Sequence, residues 1–579
     1  MAFSTRTSWP SPDGAGQSPR WLVLICLVLV FSALLVPRLL DLGRFATPDE
    51  HLWLDRSANF YTALTHRDFA STYQKEHPGV TVMWAGTLGF LVSYPEYRGS
   101  GLGQVDSPQL DYYLRKVVEI PPLSILVWGR FFIALFISLS LALAYLYAWR
   151  LLGFWAALLG FLLLAFEPMH LGLSRILHLD GLLSSLVLLS ILALAYHMQY
   201  RDWLSLLVSG AAAGLSWLTK SPGFFLIPIA GLLGLFNLWR LRRPAPGSSL
   251  FTEFWKHVRM GLVWALVACL VFVALWPAMW VQPVKSVTNV FSKAQHYAEE
   301  GHESAIFFNG TISEDGRLGI QYFYFYPLTY VWRATPPVLI GLLLGLLAYF
   351  ATRRKRGSGQ IAFLPPGATI AVVGLLITVI VFTVGFTIGA KKFDRYLLPV
   401  YPPLDLLAAL GWVWLGNVLQ GRFGSNLARW VLPLGAGLVL VSHFLFTMIG
   451  NYPYYLTYYN PLLGGPQAAE KVLQIGWGEG LDEAARYLNA KPGSEFFHVM
   501  SWYSLGSFSY FSDSHVRYLG SRAKDSKMED LLSSDYVVIY VHEWQRDTPT
   551  NVVEYLRDKT PEYIVKLNGL EYAWIYKIR

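Results

Sequence analysis

Apolar stretches separated by short polar turns fill most of this chain, near residues 21–40, 124–148, 154–168, 181–198, 204–219, 224–239, 260–281, 336–351, 367–389, 397–416 and 429–449. A helix needs about 20 apolar residues to cross a bilayer, so the pattern predicts about eleven crossings, several of them short. Two long polar stretches interrupt it, 41–123 and 282–335. After residue 450 the period changes. GLDEAARYLNA and TNVVEYLRDKTPE read as amphipathic helices, SEFFHVMS and SDYVVIYVH as buried strands, and YIVKLNG and LEYAWIYKI as strands joined through Asn568-Gly569. The expected fold is a polytopic α-helical membrane protein: a polar tail at 1–20, a bundle at 21–450 and a small soluble α/β domain at 451–579.

Composition agrees with that class. Of 579 residues, 54% are hydrophobic and only 15% charged, and the 22 Trp and 33 Tyr suit aromatic belts at both bilayer faces. Mean hydropathy is +0.39. The first apolar run lacks a small-residue cleavage signature and continues into Pro37 and Arg38, so it reads as a retained helix. Cys26 and Cys269 both lie in apolar runs, which leaves the redox compartment open. The net charge of +8 comes largely from loop lysines and arginines and is a topology signal before it is a nucleic-acid signal. Arg150, Arg201, Arg240, Arg242, Arg243, Lys256, Arg259, the run at 353–356, Arg422 and Arg429 fall on one side of an alternating count. With that side cytoplasmic, the loops at 41–123 and 282–335, the turns near 169–180, 220 and 390–396, and everything after 450 face outward from a plasma membrane. Flexible segments are expected only at 1–20 and Pro244–Ser249.

The predicted outward segments hold the polar peculiarities. Asp49 and Glu50, in FATPDEH, follow the first span at the depth of the lipid headgroups; the alternative is a helix start, with Asp49 capping and Glu50 facing the dipole. The turn SRILHLD places Arg175, His178 and Asp180 within two helical turns, where Arg175 and Asp180 can also simply neutralise each other. Lys220 in LTKSPG is either a cavity residue or a snorkelling lysine. In GAKKFDRYLLPVYPP, Lys391, Lys392, Arg395 and Tyr396 form a cationic cluster suited to a phosphate, unless Asp394 neutralises it. Glu76, His77, His296, His302 and Glu303 lie in the long loops without metal-ligand spacing. GWGEG at 476–480 has the glycines of a phosphate loop but not its spacing, and Asn309-Gly310-Thr311 is a glycosylation sequon by pattern.

In order and side, TPDEH, SRILHLD, the LTK turn and RYLLPVYP resemble the C-type (GT-C) membrane glycosyltransferases, the clan of protein O-mannosyltransferases and aminoarabinose transferases, over about the first 450 residues. The resemblance implies inverting transfer of a sugar from a polyprenyl-phosphate donor to a hydroxyl acceptor on the outer membrane face. Asp49 would be the general base, with Glu50 beside it. Lys391, Lys392, Arg395, Tyr396, Lys220 and Arg175 would bind the donor phosphate, and His77, His178 and Asp180 would line the cavity. No cofactor is required, although in the aminoarabinose-transferase branch a Glu and a His bind zinc, and Glu76 and His302 match those places. A polyprenyl phosphate leaves readily once its charge is stabilised, so one base and no acid suffice.

Two other function classes compete. A transporter or lipid flippase would also need many helices, but the sequence shows no inverted repeat and its ionisable groups gather at one face. An anchored recognition module would not need eleven spans.

Overall fold

The structure, a computed structural model, describes residues 20–241, 249–302, 304–354, 364, 367–422, 425–520 and 528–579. The N-terminal tail to residue 19, Arg242, Arg243, most of Pro244–Ser249, Glu303, Lys355 and Arg356 lie outside the described residues.

Among the described residues eight helices are long and apolar enough to cross a bilayer, and the chain is a multi-pass integral membrane protein. The segments Ile320–Arg333 and Pro336–Thr352 make a ninth if they form one span, bent by 117°. The expected count of eleven included the runs at 154–168 and 204–219. These form helices of 12 and 17 residues, Phe154–Ala165 and Trp203–Thr219, the first only about 18 Å long. Both are apolar but short, as the sequence pattern anticipated, and both pack against neighbouring helices of the bundle.

The Leu179–Tyr200 helix is the axis of the bundle. It is apolar all round, and its spanning window is buried throughout, as expected for a helix enclosed by others. The Trp21–Leu39 and Ala428–Ile449 helices sit at the periphery, mostly exposed.

The stretch 41–123 is more than a loop. Glu50–Thr65 is a helix with a largely buried surface, and Val80–Ser93 is a 14-residue apolar helix packed against Pro122–Leu152. Gly89 allows that approach, since a Cβ there would stand 2.8 Å from the Ile125 carbonyl oxygen and 2.9 Å from the Gly129 nitrogen. In the second long stretch, β1 (Ile306–Phe308) and β2 (Thr311–Ser313) form a hairpin. The Asn309-Gly310 pair of the sequon is its turn, with φ of 50° and 76°.

The C-terminal segment carries a five-stranded sheet in the order β4-β3-β5-β7-β6. Here β3 is His498–Ser501, β4 His515–Tyr518, β5 Tyr536–Tyr540, β6 Tyr563–Leu567 and β7 Leu570–Lys577. β3 runs parallel to β4 and β5, while β7 runs antiparallel to β5 and β6. The expected helices occur as Leu481–Asn489 and Thr550–Leu556, and the Asn568-Gly569 turn closes the β6–β7 hairpin. Two details differ from expectation. SDYVVIYVH ends its strand at Tyr540 and turns into a helix, Val541–Arg546. β4, a short edge strand with mostly exposed residues, has no apolar alternation to betray it.

This segment docks on the bundle. Arg44 pairs with Glu483 at 2.8 Å and Asp482 at 3.4 Å, Arg115 donates to the Ser509 carbonyl at 2.7 Å, and Asn460 donates to the Val331 carbonyl at 3.0 Å.

Candidate active site

Five segments distant in sequence meet at one end of the bundle around a cavity of about 190 Å³. Asp49 comes from the turn after the first span, Arg395 and Lys392 from the turn before the Asp394–Gln420 span, and His302 from the second long stretch. Arg333 comes from the bent pair, and Trp477, Tyr503 and Arg546 from the C-terminal segment.

Asp49 precedes the Glu50–Thr65 helix but makes no side-chain cap. Its carboxylate, 35% exposed, turns to the cavity instead, where Oδ2 lies 3.4 Å from His178 Nε2 and 3.5 Å from Arg395 Nη2. Glu50 does the local work at that helix start, accepting from the Thr47 backbone N–H at 2.9 Å and its hydroxyl at 3.1 Å.

The expected acidic pair is therefore split. Glu50 is fully buried and absent from the cavity wall; it binds the Arg130 guanidinium at 2.7 and 2.5 Å and the Leu177 N–H at 2.7 Å. With every acceptor used it is a structural anchor, which corrects its catalytic assignment. Arg130, on the Pro122–Leu152 helix, escaped the sequence reading because an arginine within an apolar run carries no motif.

Behind Asp49 a charged chain runs into the bundle. His178 Nδ1 lies 3.4 Å from Asp180 Oδ2, and Lys220 Nζ donates to Asp180 Oδ1 at 2.6 Å. Arg395 Nε stands 4.0 Å from Asp180, so one guanidinium spans both acids. The Leu179–Tyr200 helix fixes this chain, with His178 at its N-cap and Asp180 in the first turn, where a negative charge complements the helix dipole. Asp180 is thus neutralised by Lys220 and not by Arg175. The Arg175 guanidinium instead binds the carbonyls of Leu40 and Pro453 and lies over Tyr455, away from the cavity wall, which removes it from the donor-phosphate set.

Asp394 likewise takes a partner the sequence did not reveal. It pairs with Arg333 at 2.7 Å, while only the backbone N–H of Arg395 reaches it. Arg395 stays available to Asp49. Its guanidinium is stacked on three rings, Phe393 at 4.5 Å, Trp477 at 4.4 Å and Tyr396 at 5.6 Å. Lys220 lies over the same Tyr396 ring at 4.5 Å. Lys392 lines the cavity and donates to the Thr387 and Gly389 carbonyls at 2.6 and 2.5 Å, whereas Lys391, over Phe393 at 5.7 Å, is not on the wall.

These contacts set the protonation states. Burial favours the neutral form of Asp49, but His178 and Arg395 outweigh it and hold the carboxyl well below the usual carboxylate range. Burial lowers His178, yet Asp180 and then Asp49 raise it above its ordinary 6.5. Burial brings Lys392 down to about 8. His77, buried near Lys220 and Lys391 and 3.2 Å from the Ser221 hydroxyl, falls to about 3. It too lies off the cavity wall.

The structure does not bring Glu76 and His302 together on the cavity wall. Glu76 pairs with Lys75 at 3.2 Å and is not on the cavity wall that holds His302. Burial and the surrounding Lys391, Arg546 and Arg395 lower His302 to about 4, so the imidazole is neutral near pH 7. Among the described residues no three His, Cys, Asp or Glu side chains gather as ligands, and His296 pairs with Glu300 at 2.8 Å.

GWGEG, read at most as a phosphate loop, has a different use. Gly476, Gly478 and Gly480 take φ of 85°, 103° and 84°, conformations open to glycine, and the loop lays Trp477 across the site. The Trp477 ring meets His178 edge-on at 5.1 Å while Arg395 covers it.

Residues 122–291 match a family model described as dolichyl-phosphate-mannose-protein mannosyltransferase. Dolichyl-phosphate-mannose--protein mannosyltransferase 3 of Saccharomyces cerevisiae is 26% identical over 252 residues, 41% of this chain. That alignment spans only 30% of the yeast protein's length. ArnT of Cupriavidus metallidurans overlays with TM-score 0.48 in its apo state, at 14% identity over 96% of this chain and 98% of that one. Its undecaprenyl phosphate-bound structure gives 0.46 at 15% identity and the same coverage. An Archaeoglobus fulgidus oligosaccharyltransferase gives 0.45 at 12% identity, covering 91% of this chain and 70% of that one. Over residues 122–291, therefore, the chain matches the dolichyl-phosphate-mannose-protein mannosyltransferase family, within the clan that its ordered motifs resemble.

Proposed function

We propose that this chain is an inverting glycosyltransferase that moves a sugar from a polyprenyl-phosphate donor to a hydroxyl acceptor, at a site on the outer face of the membrane. The observation that carries the reading is that Asp49 and Arg395 share one cavity wall in direct ion-pair contact. The family match over 122–291 supports the reaction class, and the loop charges support the sidedness.

The acceptor oxygen attacks the anomeric carbon on the face opposite the phosphate. Its proton passes to Asp49, the bond between the anomeric carbon and the phosphate oxygen breaks, and polyprenyl phosphate departs as an anion held by Arg395 and Lys392. This charge stabilisation replaces the acid that a glycosidase needs. No cofactor enters the scheme.

The 3.5 Å contact is shorter than the sugar-wide gap such a reaction requires, and it suggests an order of events. While Arg395 faces Asp49, the base is masked. A donor phosphate that recruits the guanidinium leaves Asp49 with a higher proton affinity and makes room for the acceptor hydroxyl.

Purified protein supplied with radiolabelled polyprenyl-phosphate sugars and membrane extract tests the scheme. Asp49→Asn is expected to cut transfer by roughly 10²- to 10⁴-fold while donor binding persists. Transfer at the wild-type rate would refute the assignment.

A further inference from the structure

The cavity wall carries more positive than negative charge, and the surplus has a definite location. Its three acids each have a partner: Asp49 has Arg395 and His178, Asp394 has Arg333, and Glu479 accepts from the Trp477 N–H at 2.6 Å and the Tyr540 hydroxyl at 3.2 Å. Arg333 and Arg395 are thereby balanced. Lys392 and Arg546 are not, since among the described residues both bond only to backbone carbonyls.

Arg546 differs from Lys392 in one respect. Its Nε donates to the His542 carbonyl at 3.0 Å and its Nη1 to the Ala305 carbonyl at 3.1 Å, but Nη2 is buried with no hydrogen-bond partner among the described residues. The side chain is only 4% exposed, and the residue lines the same cavity as Asp49 and Arg395. An unpaired buried guanidinium nitrogen is costly, and the structure holds it in place from two sides, with Trp502 5.5 Å beneath. The acid beside it, Glu543, is pushed up to about 8 by burial and so does little to cancel its charge near neutral pH.

We propose that Arg546, supplied by the C-terminal domain, is a second anion-binding residue of the cavity, and that its ligand is a substrate phosphate gripped between Nη2 and Arg395. His302 lines the same cavity and feels the charge of both arginines. The domain after residue 450 is then part of the binding site and not only its cover. This rests on the glycosyltransferase reading and names the domain's share in it.

The test uses the full chain in detergent, titrated with undecaprenyl phosphate and, separately, with the uncharged polyprenol, beside kinetics with donor and acceptor varied in turn. Arg546→Gln is expected to weaken undecaprenyl phosphate about 10- to 100-fold, the loss of one charge-assisted hydrogen bond, and to leave polyprenol binding unchanged. Arg546→Lys, which keeps the charge and loses the fork, is expected to fall between and serves if the first variant folds poorly. The ratio of the two affinities responds only to charge recognition. Unchanged donor affinity with a raised KM for an anionic acceptor would uphold anion binding and move its source to the acceptor. Wild-type affinity ratio and wild-type KM values in both variants would overturn the proposal. Failure of the wild-type protein itself to prefer the phosphate over the alcohol, or of Arg395→Gln to weaken it, would instead count against the donor assignment beneath it.

Discussion

Two adjacent carboxylates, Asp49 and Glu50, have opposite fates because one peptide step turns a side chain by about 100° around a helix. Glu50 points into protein and meets Arg130; Asp49 points into the cavity. Exchanging each for its amide should separate the roles. Glu50→Gln strips the counter-charge from a buried guanidinium and is expected to cost about 3–5 kcal/mol, read as a fall in melting temperature in detergent. Asp49→Asn should melt near the wild type while losing transfer. His178 gives a pH signature. Its folded pKa lies above 6.5, so the stability from its contacts with Asp180 and Asp49 is complete below about pH 6.5 and is lost as pH rises through the folded value. The melting-temperature gap between wild type and His178→Gln should accordingly be widest in mild acid and narrow toward alkaline pH. Sequence motifs pointed to His178, Asp180, Lys220 and Arg395, but the pairings were hidden. Asp180 chose Lys220, 40 positions away, over Arg175, and Asp394 chose Arg333 over its own turn.

At the scale of elements, the polar turns mattered more than the spans they join. The GWGEG loop acts by conformation: a Cβ on Gly478 would meet the Ala46 carbonyl oxygen at 2.6 Å, at a φ of 103°. Gly478→Ala is therefore expected to destabilise by about 1–3 kcal/mol, measured by chemical unfolding, and to displace Trp477. Trp477 itself clamps Arg395 and His178 without a hydrogen bond to either. Trp477→Phe, which preserves a ring face, should keep most of the transfer rate, whereas Trp477→Ala should lower kcat more than it raises KM for donor. A uniform loss in both variants would point to misfolding. Strands, helices and the Asn568-Gly569 hairpin were readable from periodicity and turn chemistry. The Val80–Ser93 helix was not, because 14 apolar residues fall short of a span and the flanking loop is polar.

For the molecule as a whole, the docking of the C-terminal domain decides whether the site is complete, since Trp477, Tyr503 and Arg546 all belong to it. Arg44 joins bundle and domain through a partly exposed pair of contacts worth on the order of 1 kcal/mol. Arg44→Ala should leave the bundle intact yet speed protease cleavage between residues 450 and 480, with faster cleavage at low salt than in wild type as the check. By itself, the sequence determined the membrane class, the change of architecture after residue 450 and the turns in which charge gathers, because hydrophobic period and charge placement are local properties that burial in lipid or protein reads directly. Only the tertiary structure decided which carboxylate faces the cavity, which cation neutralises which acid, and that an arginine near the end of the chain lines one cavity with an aspartate near its beginning. Those outcomes depend on directions of side chains brought together across hundreds of residues, and no local pattern encodes them.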